Sequence, residues 1–229
     1  MWKLQQHGVD KTVVSHLFQG ISGIAHGFGL RGVEPSGLIQ TKQVHGDRVH
    51  RLPVSQDDPI EGDAFITNHP NTVCSVRTAD CVPILMVDPV RRAVAAVHAG
   101  WRGSQLNIAT TTIIAMNEHF GSLPKDLVVA IGPRICLTCY DVGKDVADQF
   151  LAYAPTGVHL IGDRWHLDLG EISRQQCLAA GVASDHIDVL SLCTTCRPDL
   201  FASYRRDRGE DRQISFIALK SACQWADDV

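Results

Sequence analysis

No apolar stretch in this sequence is long enough to cross a bilayer. The longest runs are strand-sized and interrupted by charges. Positive charge is not in excess: 21 lysines and arginines stand against 25 aspartates and glutamates, a net charge of −4. Neither nucleic acid nor an anionic membrane is therefore the expected partner. The first seven residues, Met1-Trp2-Lys3-Leu4-Gln5-Gln6-His7, lack the apolar core of a secretory signal, so a cytoplasmic location is expected. No linker, low-complexity tract or repeat divides the chain, and residues 1–229 are read as one domain with a sizeable core. It is expected to act as a monomer on small molecules. The eight cysteines, in a reducing compartment, are expected to be thiols or metal ligands rather than disulfides.

Strand-like apolar runs recur at 24–28, 62–67, 72–77, 82–87, 93–98, 127–131, 187–192 and 214–219. Most are continuous rather than alternating, as in strands covered on both faces. After Gly103, the residues Leu106, Ala109, Ile113, Met116 and Phe120 fall three and four apart. That spacing predicts a helix with one apolar stripe, capped by Ser104 and ended by Gly121. Val142, Val146 and Phe150 mark a second helix, and 172–180, ended by Gly181, a third. Strands mixed with helices in this way predict a layered α/β or α+β domain.

Three potential metal ligands stand at the ends of such runs: His45 in Lys42-Gln43-Val44-His45-Gly46, Cys81 in Thr78-Ala79-Asp80-Cys81, and His98 in His98-Ala99-Gly100-Trp101-Arg102-Gly103. Two imidazoles and a thiolate are three of the four ligands of a tetrahedral zinc, with the fourth position open to water or substrate. The alternative for His98 is a satisfied core histidine. Cys81 has three readings: zinc ligand, nucleophile activated by His98, or inert buried thiol. Asp80, costly to bury alone, is expected to pair with an arginine or to accept a hydrogen bond from a ligand histidine. Arg102, with the helix start beside it, makes a candidate phosphate or carboxylate site. Gln43 is a candidate substrate contact, and His26 a weaker one. Arg205 is a candidate partner for Asp80 or for a substrate anion, whereas Arg206 reads as a solvated basic turn and His50 as a surface residue. Two Cys-x-x-Cys pairs, Cys136/Cys139 and Cys193/Cys196, match a structural zinc pattern, but the segment between them is far longer than in a compact finger. Ordinary reduced thiols are the expectation there.

Those three motifs are followed in order by Ile131-Gly132-Pro133, Tyr140-Asp141-Val142-Gly143, Leu167-Asp168-Leu169 and Ser203-Tyr204-Arg205-Arg206, and the resemblance they carry covers nearly the whole of residues 26–219. In this the chain resembles the YfiH-like family, also called the laccase-domain or multicopper polyphenol oxidase family. The segment joining His26-Gly27-Phe28 to Gln43 is shorter here than is usual in that family. The resemblance implies an α+β fold layered as an αββα sandwich with mixed sheets, related to putative cysteine hydrolases. It implies a zinc site of His45, Cys81 and His98. It also implies phosphorolysis of adenosine, inosine, guanosine or methylthioadenosine, and deamination of adenosine, with a nucleoside and phosphate as partners. Asp80 is then the candidate proton carrier or orienting group, and Arg102 the phosphate holder. A second activity implied for bacterial members is peptidoglycan-precursor editing, which releases L-serine from a UDP-muramic acid precursor. The copper-oxidase label fits poorly: of 11 histidines none form a His-x-His pair. Copper would still be taken up adventitiously by His and Cys ligands. A regulatory module that binds nucleotide or metal without turnover is the non-enzyme alternative.

Overall fold

The computed structural model describes residues 3–7, 10–33, 38, 41–53 and 60–221. Strands β1 (Lys3–His7), β2 (Asp10–Val14), β3 (Ile24–Gly29), β8 (Val73–Thr78) and β16 (Gln213–Leu219) form an antiparallel sheet in the order β1-β2-β3-β16-β8. Strands β5 (Val49–Arg51), β7 (Ala64–Thr67), β9 (Val82–Asp88), β10 (Ala93–Ala99), β11 (Val128–Ile131) and β15 (Ile187–Val189) form a second sheet, ordered β15-β11-β9-β10-β7-β5. Its outer pairs β5–β7 and β11–β15 are parallel and its inner pairs antiparallel, so the sheet is mixed. A short pair, β4 (Thr41–Lys42) with β6 (Ile60–Glu61), and a three-stranded sheet of β12 (Asp141–Val142), β13 (Val158–Ile161) and β14 (Arg164–Leu167) complete the strands. All eight apolar runs read from the sequence form strands.

The reason those runs are continuous is visible in β9 and β10. Leu85, Val87, Val94 and Ala96 face the five-stranded sheet and pack with Phe28, Val76 and Ile217. The alternate residues Ile84, Met86, Ala95 and Val97 face the helices. Each strand thus serves two cores, and no position along it is left for a polar residue to reach water. The helical layer comprises α2 (Trp101–Gln105), α3 (Ile108–Phe120), α4 (Lys144–Leu151) and α5 (Leu169–Ala179). Ile108, Ile113 and Met116 of α3, Phe150 of α4 and Ile172 of α5 fill it. Two single-turn helices, α1 (His16–Gln19) and α6 (Tyr204–Asp207), sit outside that layer, with α1 near β11.

The protein is an α+β fold with two stacked sheets, and α3 and α5 pack against the six-stranded one.

The helix expected to run on from Ser104 is broken. Asn107 adopts the left-handed region at φ 60, which asparagine tolerates well, so α2 stops and α3 starts anew. Ser104 is no cap; it is buried within α2, and its carbonyl accepts from Gln176 Nε2 at 2.5 Å and Tyr153 Oη at 3.1 Å. Gly121 ends α3 at φ 72, as its position predicts. Val142 lies in β12 rather than in the helix assigned to it. Asp168 caps α5 by accepting from the Gly170 and Glu171 N–H groups at 3.0 Å each. The β12–β14 sheet, unread in the sequence, is half-exposed, and its hairpin turns on Gly162 at φ 63. No helix among the described residues is long and apolar enough to cross a membrane.

Gly132 lets the two sheets approach. A Cβ there would lie 2.3 Å from the Phe28 ring and 2.9 Å from Pro83 Cγ. Gly132→Ala is expected to destabilise the fold by about 1–3 kcal/mol through overpacking, read as a lower urea midpoint with an unchanged m-value.

Candidate metal centre and adjoining clefts

Asp63, at the start of β7, is fully buried and organises the centre. One carboxylate oxygen accepts from the His45 backbone N–H at 2.9 Å and from His98 Nδ1 at 2.7 Å. The other accepts from the N–H groups of Val44 at 3.1 Å and Gly46 at 2.8 Å. The His98 N–H also donates to the Asp63 carbonyl at 2.7 Å. One side chain therefore shapes the His45 loop and sets the His98 ring, and the Nδ1–H bond directs Nε2 to a ligand. His45 is held at φ 60, in the left-handed region, by the same bonds.

Cys81 enters from the start of β9. Antiparallel pairing of Val82 with Ala99 sets it beside Gly100. The ligand atoms of His45, Cys81 and His98 lie within 4.8 Å of one another, and the two imidazole rings meet edge to face at 4.7 Å. A Cβ on Gly100 would come within 3.0 Å of His45 Cδ2 and 3.1 Å of Cys81 Sγ. The glycine is thus required by close approach to the ligands and not by its φ of −74. The donor set, the committed Nδ1 of His98 and the space kept clear by Gly100 all suit a metal ion with one position left open.

Charge in the centre is strongly coupled. Burial pushes the Cys81 thiol up, but His98 and His45 outweigh it and bring it down to about 6. Burial drives the His98 imidazolium down, while the Cys81 thiolate and Asp63 push it up to about 9. Burial raises the Asp63 carboxyl, yet His98 and the Gly46 and Val44 N–H groups hold it below the ordinary carboxylate range. These shifts favour a thiolate–imidazolium pair backed by a carboxylate, the protonation pattern that a bound metal ion would replace.

Two clefts meet at this centre. One, of about 270 Å³, is lined by His45, Asp80, Cys81, Trp101, Arg102, Tyr140, Tyr204, Arg205 and Arg208 among others. The second, of about 440 Å³, is lined by Gln43, His45, Arg77, Cys81, His98, Tyr204 and Arg212 among others. Arg102 stacks on Trp101 at 4.5 Å, and Arg208 and Arg212 lie over Tyr204 at 5.4 and 6.0 Å. Among the described residues no carboxylate forms an ion pair with Arg77, Arg102, Arg208 or Arg212.

Several sequence-predicted residues take other places. Asp80, at φ 87, accepts from Thr194 Oγ1 and the Arg205 backbone N–H at 2.6 Å each, and the carboxylate behind the ligand histidine is Asp63 instead. Gln43 spends both ends of its amide on the Arg77 backbone, at 2.7 and 2.8 Å, and so anchors the His45 loop to β8. His26 lies between the sheets against Phe18 and lines neither cleft. The Arg205 guanidinium is engaged by Asp141 at 2.6 Å, which leaves it a wall of the cleft. Arg206 is not a solvated turn: it donates to the carbonyls of Thr194, Thr195 and Phe201, each at 2.9 Å. The helix beginning at Trp101 has only five residues, so its contribution to anion binding is small beside that of Arg102. Asp63, Trp101, Tyr140 and Arg208 were not singled out from the sequence. For Asp63 the available signal was an acid heading an apolar run after Gly62.

Fold and site together describe an α+β protein with a His₂Cys cluster, able to hold a metal ion, flanked by aromatic and cationic clefts. The chain belongs to the family described as multi-copper polyphenol oxidoreductase laccase, whose model matches residues 25–220. It is 36% identical over 197 residues to purine nucleoside phosphorylase YlmD of Bacillus subtilis, covering 79% of this chain and 70% of that one. It is 35% identical over 188 residues to purine nucleoside phosphorylase YfiH of Escherichia coli, covering 81% and 75%. The crystal structure of YlmD from Geobacillus stearothermophilus superposes with a TM-score of 0.84 at 27% identity, over 95% of this chain and 99% of that one.

Asp63→Asn is expected to weaken metal affinity at this centre roughly 10- to 100-fold, measured by chelator competition. His26→Leu should leave it unchanged; equal losses in both variants would remove Asp63 from its organising role.

Proposed function

We propose that the protein is a zinc-dependent purine nucleoside phosphorylase that also deaminates adenosine. The observation that carries this reading is the meeting of an aromatic, arginine-rich cleft with the His45–Cys81–His98 cluster, in a family whose curated relatives bear the phosphorylase name. Adenosine, inosine, guanosine and methylthioadenosine are the candidate substrates.

In this reading Trp101, Tyr140 and Tyr204 offer flat faces to a purine. Arg102 and Arg208, free of carboxylate partners among the described residues, bind phosphate and hold it against C1′ of the ribose. Phosphate displaces the purine, forming a C1′–O bond as the C1′–N9 bond breaks. The arginines act by positioning and by charge stabilisation. Asp80 acts as a positioning residue, since it holds Thr194 and the Arg205 backbone that frame the cleft. Zinc bound by His45, Cys81 and His98 supplies Lewis-acid activation. This reading takes zinc rather than the copper named in the family description. Among the described residues the His and Cys groupings are this three-ligand set and a four-cysteine set, not the paired histidines of a trinuclear copper centre.

A second reading, amide hydrolysis of a muramyl precursor with Cys81 as nucleophile, is favoured by one observation, the adjacency of Cys81 to the His98 imidazole. One experiment separates the two. Metal-analysed protein is incubated with adenosine, with and without phosphate, and the products are identified by mass. Adenine and ribose 1-phosphate formed only with phosphate are expected, together with inosine, and Cys81→Ala should abolish both. Arg102→Ala should raise the KM for phosphate roughly tenfold or more, the value of a lost charge-assisted hydrogen bond. Absence of nucleoside turnover, with serine released from UDP-N-acetylmuramyl-L-serine, would replace this reading with the second.

A further inference from the structure

A second cluster of metal-ligating side chains lies apart from the His45–Cys81–His98 centre. The two Cys-x-x-Cys pairs are 57 positions apart in sequence, and the fold removes that separation. β11 and β15 run parallel, and the chains that leave them stay paired. Arg134 forms a bridge with Cys193; its N–H donates to the Leu192 carbonyl at 3.1 Å, and the Thr194 N–H donates to the Arg134 carbonyl at 3.0 Å. The sulfurs of Cys136, Cys139, Cys193 and Cys196 consequently all lie within 4.8 Å of one another, with Cys139 and Cys196 at 3.5 Å. A tetrahedral zinc with bonds of about 2.3 Å needs sulfurs about 3.8 Å apart, well inside that envelope.

Local structure favours thiolates bound to a cation. The Cys139 N–H donates to the Cys136 carbonyl at 3.0 Å and tightens the first pair into a turn. The Cys136 N–H points at Cys193 Sγ at 3.4 Å, a donor that stabilises negative charge on sulfur. Four thiolates around Zn²⁺ carry a net charge of about −2. Arg134, whose side chain is only 11% exposed, shares the wall of the adjoining cleft with Cys136 and Cys193, and its carboxylate partner Asp168 is 3.7 Å away. A buried cation beside the cluster offsets that charge.

We propose that Cys136, Cys139, Cys193 and Cys196 bind one zinc ion in a structural tetrathiolate site. With four protein ligands it has no open position, so its role is to fasten chain to chain. The chain it fastens borders the active clefts. Tyr140 and Asp141 follow Cys139 directly, and Asp141 accepts from Arg205. Thr194, between the second pair of cysteines, donates to Asp80. The ion would clamp the two loops that build one wall of the larger centre.

The test is zinc stoichiometry of protein purified under reducing conditions without chelator. Wild type is expected to hold two zinc ions per chain, and Cys81→Ala and Cys139→Ser/Cys196→Ser about one each. Because the double variant risks misfolding, X-ray absorption at the zinc edge of Cys81→Ala gives an independent reading. A shell of four sulfurs at about 2.3 Å is expected. Zinc in a nitrogen-containing shell, iron in place of zinc, four freely alkylated thiols with no metal, or a Cys139–Cys196 disulfide in the intact mass would each overturn the proposal.

Discussion

The fully buried Asp63 carboxylate is the constraint on which the rest of the centre depends. A carboxylate taken out of water must be matched by donors and by charge, or it neutralises. Here three consecutive backbone N–H groups and one imidazole supply that match. The requirement runs in both directions. The His45 loop is bent into a left-handed turn because the carboxylate gathers its N–H groups, and the carboxylate stays ionised because the loop is bent. Breaking a buried pair of this kind typically costs about 3–5 kcal/mol, well above a surface ion pair, so loop, ring and strand end form one unit.

The ordering extends outward through the strands. Antiparallel pairing of β9 with β10 brings Cys81 and His98 to the same end of the sheet. Because each strand is apolar on both faces, a slip of one residue would exchange the two cores and move the ligands apart. On the other side of the cleft, Asp80 ties the end of β8 to Thr194 and Arg205, and Arg206 knits the carbonyls behind it. The centre thus has one wall set by sheet register, which leads into Trp101 and Arg102, and another set by a polar network, which carries Tyr204, Arg205 and Arg208.

Much of this was legible in the sequence where one physical cause acts alone. Most of the eight apolar runs are continuous and report burial on two sides, and each contains a strand. His45, Cys81 and His98 stood out because polar ligands at the ends of apolar runs are rare, and the fold assembles them. What escaped reading depends on contacts between distant segments. Asp63 resembles any acid at a strand start until four N–H donors converge on it. Asp80 reads as a partner of an arginine or of a ligand histidine, and Gln43 as a substrate contact, because their partners, Thr194 with Arg205 and the Arg77 backbone, lie 34 to 125 positions away. The kink at Asn107 rests on one residue's tolerance of positive φ, which spacing of apolar residues does not encode.

The β9–β10 hairpin separates two ends of the molecule. At one end sit the ligands; at the other, Asp88 accepts from the N–H groups of Val90 and Arg91 at 2.8 and 2.9 Å and closes the turn, with Val90 66% exposed. The length of the strands insulates one end from the other. The turn is therefore a natural insertion point, where a fluorophore-bearing residue, a peptide tag or a whole added domain can be carried at the cost of one exposed loop, while the register that holds the metal ligands stays fixed by seven paired positions behind it.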